Sequence, residues 1–120
     1  MSILAGTREL SYAQGTGDIP LLRQTIGQVL DAAASSYPDQ DALVVRHQNL
    51  RFSYRQFLEQ VDLVAGGLLR LGVQKGDRFA IWATNCAEWL FTQFAAAKIG
   101  AILVNVNPAN RAVELEYVLR

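Results

Sequence analysis

Few side chains in this sequence stand where they could do chemistry. Asn105-Val106-Asn107-Pro108 follows a run that reads as a strand. In open α/β sheets, ligands sit just beyond the carboxyl ends of parallel strands. Cys86 is the single cysteine and His47 the single histidine. Cys86 falls in the first turn of a predicted helix, where the helix dipole would lower a thiol pKa. It has no base near it in sequence, so it reads as a buried or capping-turn cysteine. His47 falls in a tight turn with no nucleophile nearby and reads as a solvated turn residue. Trp82 and Trp89 lie in otherwise apolar elements and read as core rather than as a cofactor platform. Gly15-Thr16-Gly17-Asp18 has two of the three glycines of a dinucleotide loop, and no strand precedes it, so it reads as a turn.

One cysteine excludes a disulfide framework, and one cysteine with one histidine is too few ligands for a zinc site. The sequence has no Gly-x-x-x-x-Gly-Lys-[Ser/Thr] loop, no Gly-x-Ser-x-Gly elbow and no His-Glu-x-x-His helix.

The elements that would hold these residues can be read from periodicity. Thr25 and Gln28 form a capping box, and Ile26, Val29, Leu30 and Ala33 form an apolar stripe, so a helix is expected over 26–36. Tyr37-Pro38-Asp39 ends it, because a residue before proline is pushed out of the α region. Residues 42–46 and 50–52 read as a hairpin turning through His47-Gln48-Asn49. Ser53 and Gln56 open a second helix over 54–71, with Phe57, Val61, Val64, Ala65 and Leu68 on one face. Its Gly66-Gly67 pair predicts close packing against a sheet, and Gly72 a left-handed cap. Residues 79–83 form a continuous apolar run, as expected of a strand buried on both faces. Asn85 and Glu88 mark the start of a third helix over 87–99, apolar nearly all round, which Gly100 ends. A second buried strand is expected over 101–106, a loop at 107–110 and a fourth helix from 111.

Strand, helix, strand in this order is a βαβ unit with parallel strands and a right-handed crossover, so the fold class is α/β. Two parallel strands and a hairpin make too small a sheet to close a domain. The division expected is an irregular lead-in over 1–24 and an incomplete α/β domain over 25–120. The final helix runs to Arg120 without a cap, which points to the front part of a larger protein.

Composition agrees. The chain has 120 residues, 51% hydrophobic and only 18% charged, which excludes a disordered tail. Eleven basic residues balance eleven acidic ones, so no net charge draws it to nucleic acid or anionic lipid. So few charges with so many apolar residues suggest faces covered by something outside the chain, or by self-association of the isolated segment. The N-terminus lacks a secretory signal pattern and no apolar run is long enough to span a membrane, so a cytoplasmic location is expected.

Phe52-Ser53-Tyr54-Arg55-Gln56-Phe57, then Ala65-Gly66-Gly67-Leu68-Leu69-Arg70-Leu71-Gly72-Val73 and Lys75-Gly76-Asp77-Arg78, resemble the first core motif of the acyl-adenylating superfamily. Asn85, Glu88-Trp89, the stretch from Ala97-Lys98-Ile99-Gly100 through Asn105-Val106-Asn107-Pro108, and Glu114-Leu115 resemble its second. Ser11-Tyr12, Pro20-Leu21-Leu22, Thr25-Ile26-Gly27-Gln28 and Tyr37-Pro38-Asp39 are similar to the medium-chain fatty acyl-CoA synthetase branch. The resemblance covers residues 11–120 and is specific in the combination and order of its motifs.

That resemblance implies a parent enzyme that uses ATP and Mg2+ to adenylate a fatty carboxylate and then passes the acyl group to coenzyme A. The physical demand is stabilisation of charge at the α-phosphorus, followed by exposure of the mixed anhydride to a thiolate. The family's phosphate loop, nucleotide contacts and catalytic lysine lie downstream of these motifs, so no catalytic residue is assigned here and the segment alone is expected to be inactive. By similarity, the loop Asn107-Pro108-Ala109 occupies a place that approaches coenzyme A in some relatives. The partners implied are the remainder of the parent enzyme and its fatty acid. The alternative is a catalytically silent stand-alone interaction or regulatory module built on the same scaffold.

Overall fold

A computed structural model of the chain describes Gly15 and residues 17–120. The expected lead-in and its Ser11-Tyr12 motif fall largely outside these residues, as does Thr16 of the glycine turn. The described part before Thr25 holds no helix or strand.

Helix α1 (Ile26–Ser36) starts at the expected box: Thr25 Oγ1 accepts the Gln28 N–H at 3.2 Å and Gln28 Oε1 accepts the Thr25 N–H at 2.9 Å. Its buried face is not the expected stripe. Gly27, Leu30 and Ala34 face inward, while Ile26 and Val29 are exposed. The reason is close approach to the third helix: a Cβ on Gly27 would lie 3.0 Å from Lys98 Cγ. Gly27 takes the contact, with Leu30 and Ala34 buried on the same face, and Ile26 and Val29 are turned outward.

Strands β1 (Asp41–Val45) and β2 (Leu50–Ser53) form the antiparallel hairpin, with a register shift between Asp41 and Leu43. Its connection is a 3-10 turn over Arg46–Gln48, closed by Asn49 in the left-handed conformation at φ +53°. Helix α2 (Tyr54–Arg70) begins at the Ser53–Gln56 box and ends in a Schellman motif. There Val73 donates to the Leu68 carbonyl and Gly72, at φ +91°, to that of Leu69. Phe57, Val61 and Ala65 are buried on its inner face; Val64 and Leu68 pack against them. Gly66 and Gly67 are not pressed against a sheet. A Cβ at either would meet nothing within 4 Å among the described residues, because both lie off the inner face.

Strand β3 (Arg78–Trp82), helix α3 (Ala87–Ile99) and strand β4 (Ile102–Val106) make the βαβ unit. β3 and β4 pair in parallel from Arg78↔Ile102 to Trp82↔Val106. Gly100 is required at the return: its φ is +74°, and a Cβ there would lie 2.9 Å from Lys75 Cγ. The expectation that β3 is buried on both faces fails here. Exposed and half-buried residues alternate along it, and Trp82 is 50% exposed rather than in a core. The reason is cover: α3 packs against β4, and helix α4 (Ala112–Leu119) buries no residue. α3 itself buries Ala87, Phe91, Ala95 and Ala96, with Leu90, Phe94 and Ile99 half-buried against the core.

The core lies between α2, α3 and the hairpin, where Leu30, Val45, Phe57, Val61, Ala65, Ala87, Phe91 and Ala95 come together. Phe91 is its hub: it meets Phe52 edge-on at 5.2 Å and Phe57 at 5.5 Å between ring centres. No helix among the described residues is long and apolar enough to cross a membrane.

Candidate functional site

The parallel strands aim their carboxyl ends at one cleft, and two loops form its walls. One runs Ala83-Thr84-Asn85 from β3 into α3, which contributes Trp89 from its first turns. The other is the end of β4, Asn105-Val106, with Asn107-Pro108 beyond it. The cleft measures about 450 Å³. Thr84, Asn85, Asn105 and Asn107 are its polar groups, while Ala83, Trp89, Val106 and Pro108 are apolar. None of the lining residues is charged. Such a cleft suits an uncharged amide-bearing or apolar chain. Phosphate groups call for cations or clustered N–H donors, which this lining does not assemble.

The loop after β4 is held by its own side chain. Asn107 Oδ1 accepts the Ala109 N–H at 3.0 Å, and its carbonyl accepts the Asn110 N–H at 2.9 Å, giving a tight turn. Asn107 and Pro108 therefore line the cleft. Ala109, placed with them on sequence grounds, serves the turn and is not part of the lining. α4 follows, its start held by Glu114, whose carboxylate accepts the Arg111 N–H at 3.1 Å.

The opposite wall depends on the start of α3. Its N-cap is Cys86, one residue after the expected Asn85, and Cys86 makes no side-chain cap bond. The cap comes from the hairpin: Gln48 Oε1 accepts the Ala87 N–H at 2.7 Å, and Gln48 Nε2 donates to Glu88 Oε2 at 2.9 Å. That donation holds the Glu88 carboxyl below its ordinary pKa, helped by its own backbone N–H, the Cys86 thiol and the charge of His47, and slightly opposed by burial. Freed from capping, Asn85 stands in the cleft wall. His47 is exposed in the hairpin turn, as its sequence position suggests.

Thr84, Asn85 and Trp89 were missed as a group. Their spacing, 84, 85 and 89, follows a strand end into one helical turn, which is the only signal that could have joined them to Asn107. Gln48 carried no local signal, since its partners lie 39 and 40 residues away. Among the described residues there is no group of three or more His, Cys, Asp or Glu able to hold a metal.

The family profile described as AMP-binding enzyme matches residues 30–120. The chain is 50% identical over 111 residues to the mitochondrial medium-chain acyl-CoA ligase of Mus musculus, covering 92% of this chain and 18% of that protein. A solved Mycobacterium tuberculosis fatty acyl CoA synthetase superimposes with a TM-score of 0.77 at 33% identity, over 79% of this chain and 19% of its own. The anthranilate CoA ligase AuaEII, solved with anthranoyl-AMP, does so with a TM-score of 0.75 at 28% identity, over 86% and 19%. The chain thus spans about a fifth of the length of these relatives.

Proposed function

The chain belongs to the AMP-binding enzyme family, and from that premise we propose that it is the front scaffold of an ATP-dependent acyl-CoA ligase. The parent activates a medium-chain fatty carboxylate as its acyl-adenylate and transfers the acyl group to coenzyme A. The observation that carries this reading is the 50% identity, over 92% of the chain, to a medium-chain acyl-CoA ligase.

Within that reading the chain's own contribution is positional. The β3–β4 pair and its two loops offer an uncharged cleft, and we assign it to the approach of the coenzyme A arm, with Asn107 and Pro108 as contacts. The amide and thiol portion of that substrate matches a lining of carboxamides and apolar walls. The Asn107 turn fixes one side, and the start of α3 fixes the other. ATP binding and the adenylation chemistry fall to residues beyond Arg120. Mg2+ does not fit any cluster of described residues here. The chain lengths accepted are a property of that remainder too, since relatives with this scaffold include an anthranilate ligase.

Trp82, Ile102, Val113 and Tyr117 are large apolar side chains left exposed here, and the proposal has the remainder of the parent pack on them. A cytoplasmic location belongs to the same proposal. The mouse relative is named as mitochondrial, so cell fractionation decides it.

The test is an assay of the complete protein. Octanoate-dependent exchange of pyrophosphate into ATP, and formation of octanoyl-CoA once coenzyme A is added, are expected. The 120-residue chain alone, free of complete enzyme, should show no exchange. A complete protein that binds neither ATP nor coenzyme A would overturn the reading in favour of a silent interaction module.

A further inference from the structure

We propose that Gln48 is a positioning residue for the cleft: from the hairpin turn it holds the start of α3, and with it the wall formed by Thr84, Asn85 and Trp89.

An α-helix leaves its first N–H groups without intrahelical partners, and a side chain at the N-cap usually takes one of them. Cys86 makes no such bond. The Ala87 N–H goes to Gln48 Oε1 at 2.7 Å instead. The second half of the same carboxamide donates to Glu88 at 2.9 Å, so one planar group grips two successive residues of α3. Two bonds from one rigid plane fix orientation as well as distance.

The grip matters because of what lies on either side of it. Thr84 and Asn85 come immediately before Cys86, and Trp89 immediately after Glu88; all three line the cleft. Gln48 itself sits on a firm base. Val45, at the end of β1, is buried, and Phe52 on β2 meets Phe91 edge-on at 5.2 Å. The hairpin is therefore docked to the lower part of α3 through the core and to its first turn through Gln48. A wall that would otherwise hang on a loop is tied at both ends.

This rests on the reading of the cleft as the coenzyme A approach, and the experiment separates the two. In the complete enzyme, Gln48→Ala should raise the KM for coenzyme A about fivefold, the effect of one net hydrogen bond on an equilibrium. The KM for ATP and kcat should stay within about twofold. The double variant Gln48→Glu with Glu88→Gln should restore the coenzyme A KM. A carboxylate on the hairpin then accepts both the Ala87 N–H and a carboxamide donor on the helix. Asn107→Asp keeps the oxygen that accepts from Ala109, removes the amide donor and tests the cleft reading directly.

A raised coenzyme A KM that the swap restores supports the proposal, whatever Asn107→Asp does. An unchanged KM in Gln48→Ala while Asn107→Asp raises it overturns the positioning role and spares the cleft. Unchanged values in both overturn both. A fall in apparent kcat with every KM unchanged, unrepaired by the swap, would make Gln48 a stability residue only and also overturn the proposal.

Discussion

The hairpin with α1, α2 and α3 closes on itself, while the β3–β4 pair with α4 stays open. In the first region Val61, Ala87 and Ala95 are fully buried, and Phe57 and Phe91 nearly so. In the second, Trp82 is 50% exposed, Val113 78% and Tyr117 85%. The open region is no less apolar than the closed one, as Val113, Leu115, Tyr117, Val118 and Leu119 of α4 show, so the two regions differ for another reason. They differ in whether the described residues supply both sides of each contact. A helix needs one apolar neighbour, and α2 and α3 find each other and the hairpin. A parallel sheet needs cover on two faces, and α3 reaches only one of them.

The largest effect expected from this contrast is in the closed region. Phe91→Ala should cost about 3–5 kcal/mol in urea unfolding, because it removes the hub of an aromatic cluster with no room to collapse. A loss under about 1 kcal/mol would mean that the cluster does not hold the hairpin to α3.

The open region gives the next test. In the complete protein, Trp82→Ala should cost about 2–3 kcal/mol, more than a half-exposed ring warrants, if the remainder of the parent covers it as proposed. The isolated chain should instead bury that face by self-association. Light scattering over a dilution series should give masses above 13.2 kDa that fall with concentration. A sharp mass of one chain, independent of concentration, would break the contrast.

A smaller effect sits where three helices meet. Lys98 Nζ reaches Asp31 on α1 at 2.9 Å and Asp62 on α2 at 2.6 Å, and its side chain is only 21% exposed. Burial pushes the ammonium pKa down, but the hydrogen bonds to Asp62 and Asp31 and their charges outweigh it, so the net shift is upward from 10.5. A raised folded-state pKa stabilises fully below the unfolded value and is lost as pH rises through the folded one. Lys98→Met should therefore cost about 1 kcal/mol at neutral pH, the half-exposed aspartates screening the rest. Melts of wild type and variant should converge above the lysine range. A gap that persists there would assign the effect to packing of the lysine stem.

The smallest effect has an informative sign. Gly66→Ala and Gly67→Ala should each stabilise by about 0.5–1 kcal/mol, since a methyl meets open space and alanine favours helix. Destabilisation of the complete protein by either would show that the outer face of α2 is packed there after all.

Much of this fold was legible locally. Capping boxes at Thr25 and Ser53, the breaker Tyr37-Pro38 and the caps Gly72 and Gly100 set helix ends to within a residue. Their causes lie within a few residues of chain, which is why the sequence carries them. The α/β class and the cleft at Asn107-Pro108 followed from strand, helix, strand order. The acyl-CoA ligase reading came from motif resemblance.

Burial was decided elsewhere. Ile26 and Val29 carry the same apolar signal as Leu30, yet α1 is turned so that Gly27 meets Lys98. β3 reads as a doubly buried strand and is half exposed, because cover is a property of neighbours. The Asn107 side chain folds back on the Ala109 N–H, which places Ala109 in the turn. From the sequence come the period and ends of each element and the family motifs, all short-range patterns. From tertiary structure alone come the inward faces and the partner that caps α3. Those depend on which surfaces meet, and Gln48 meets Ala87 only across a folded core.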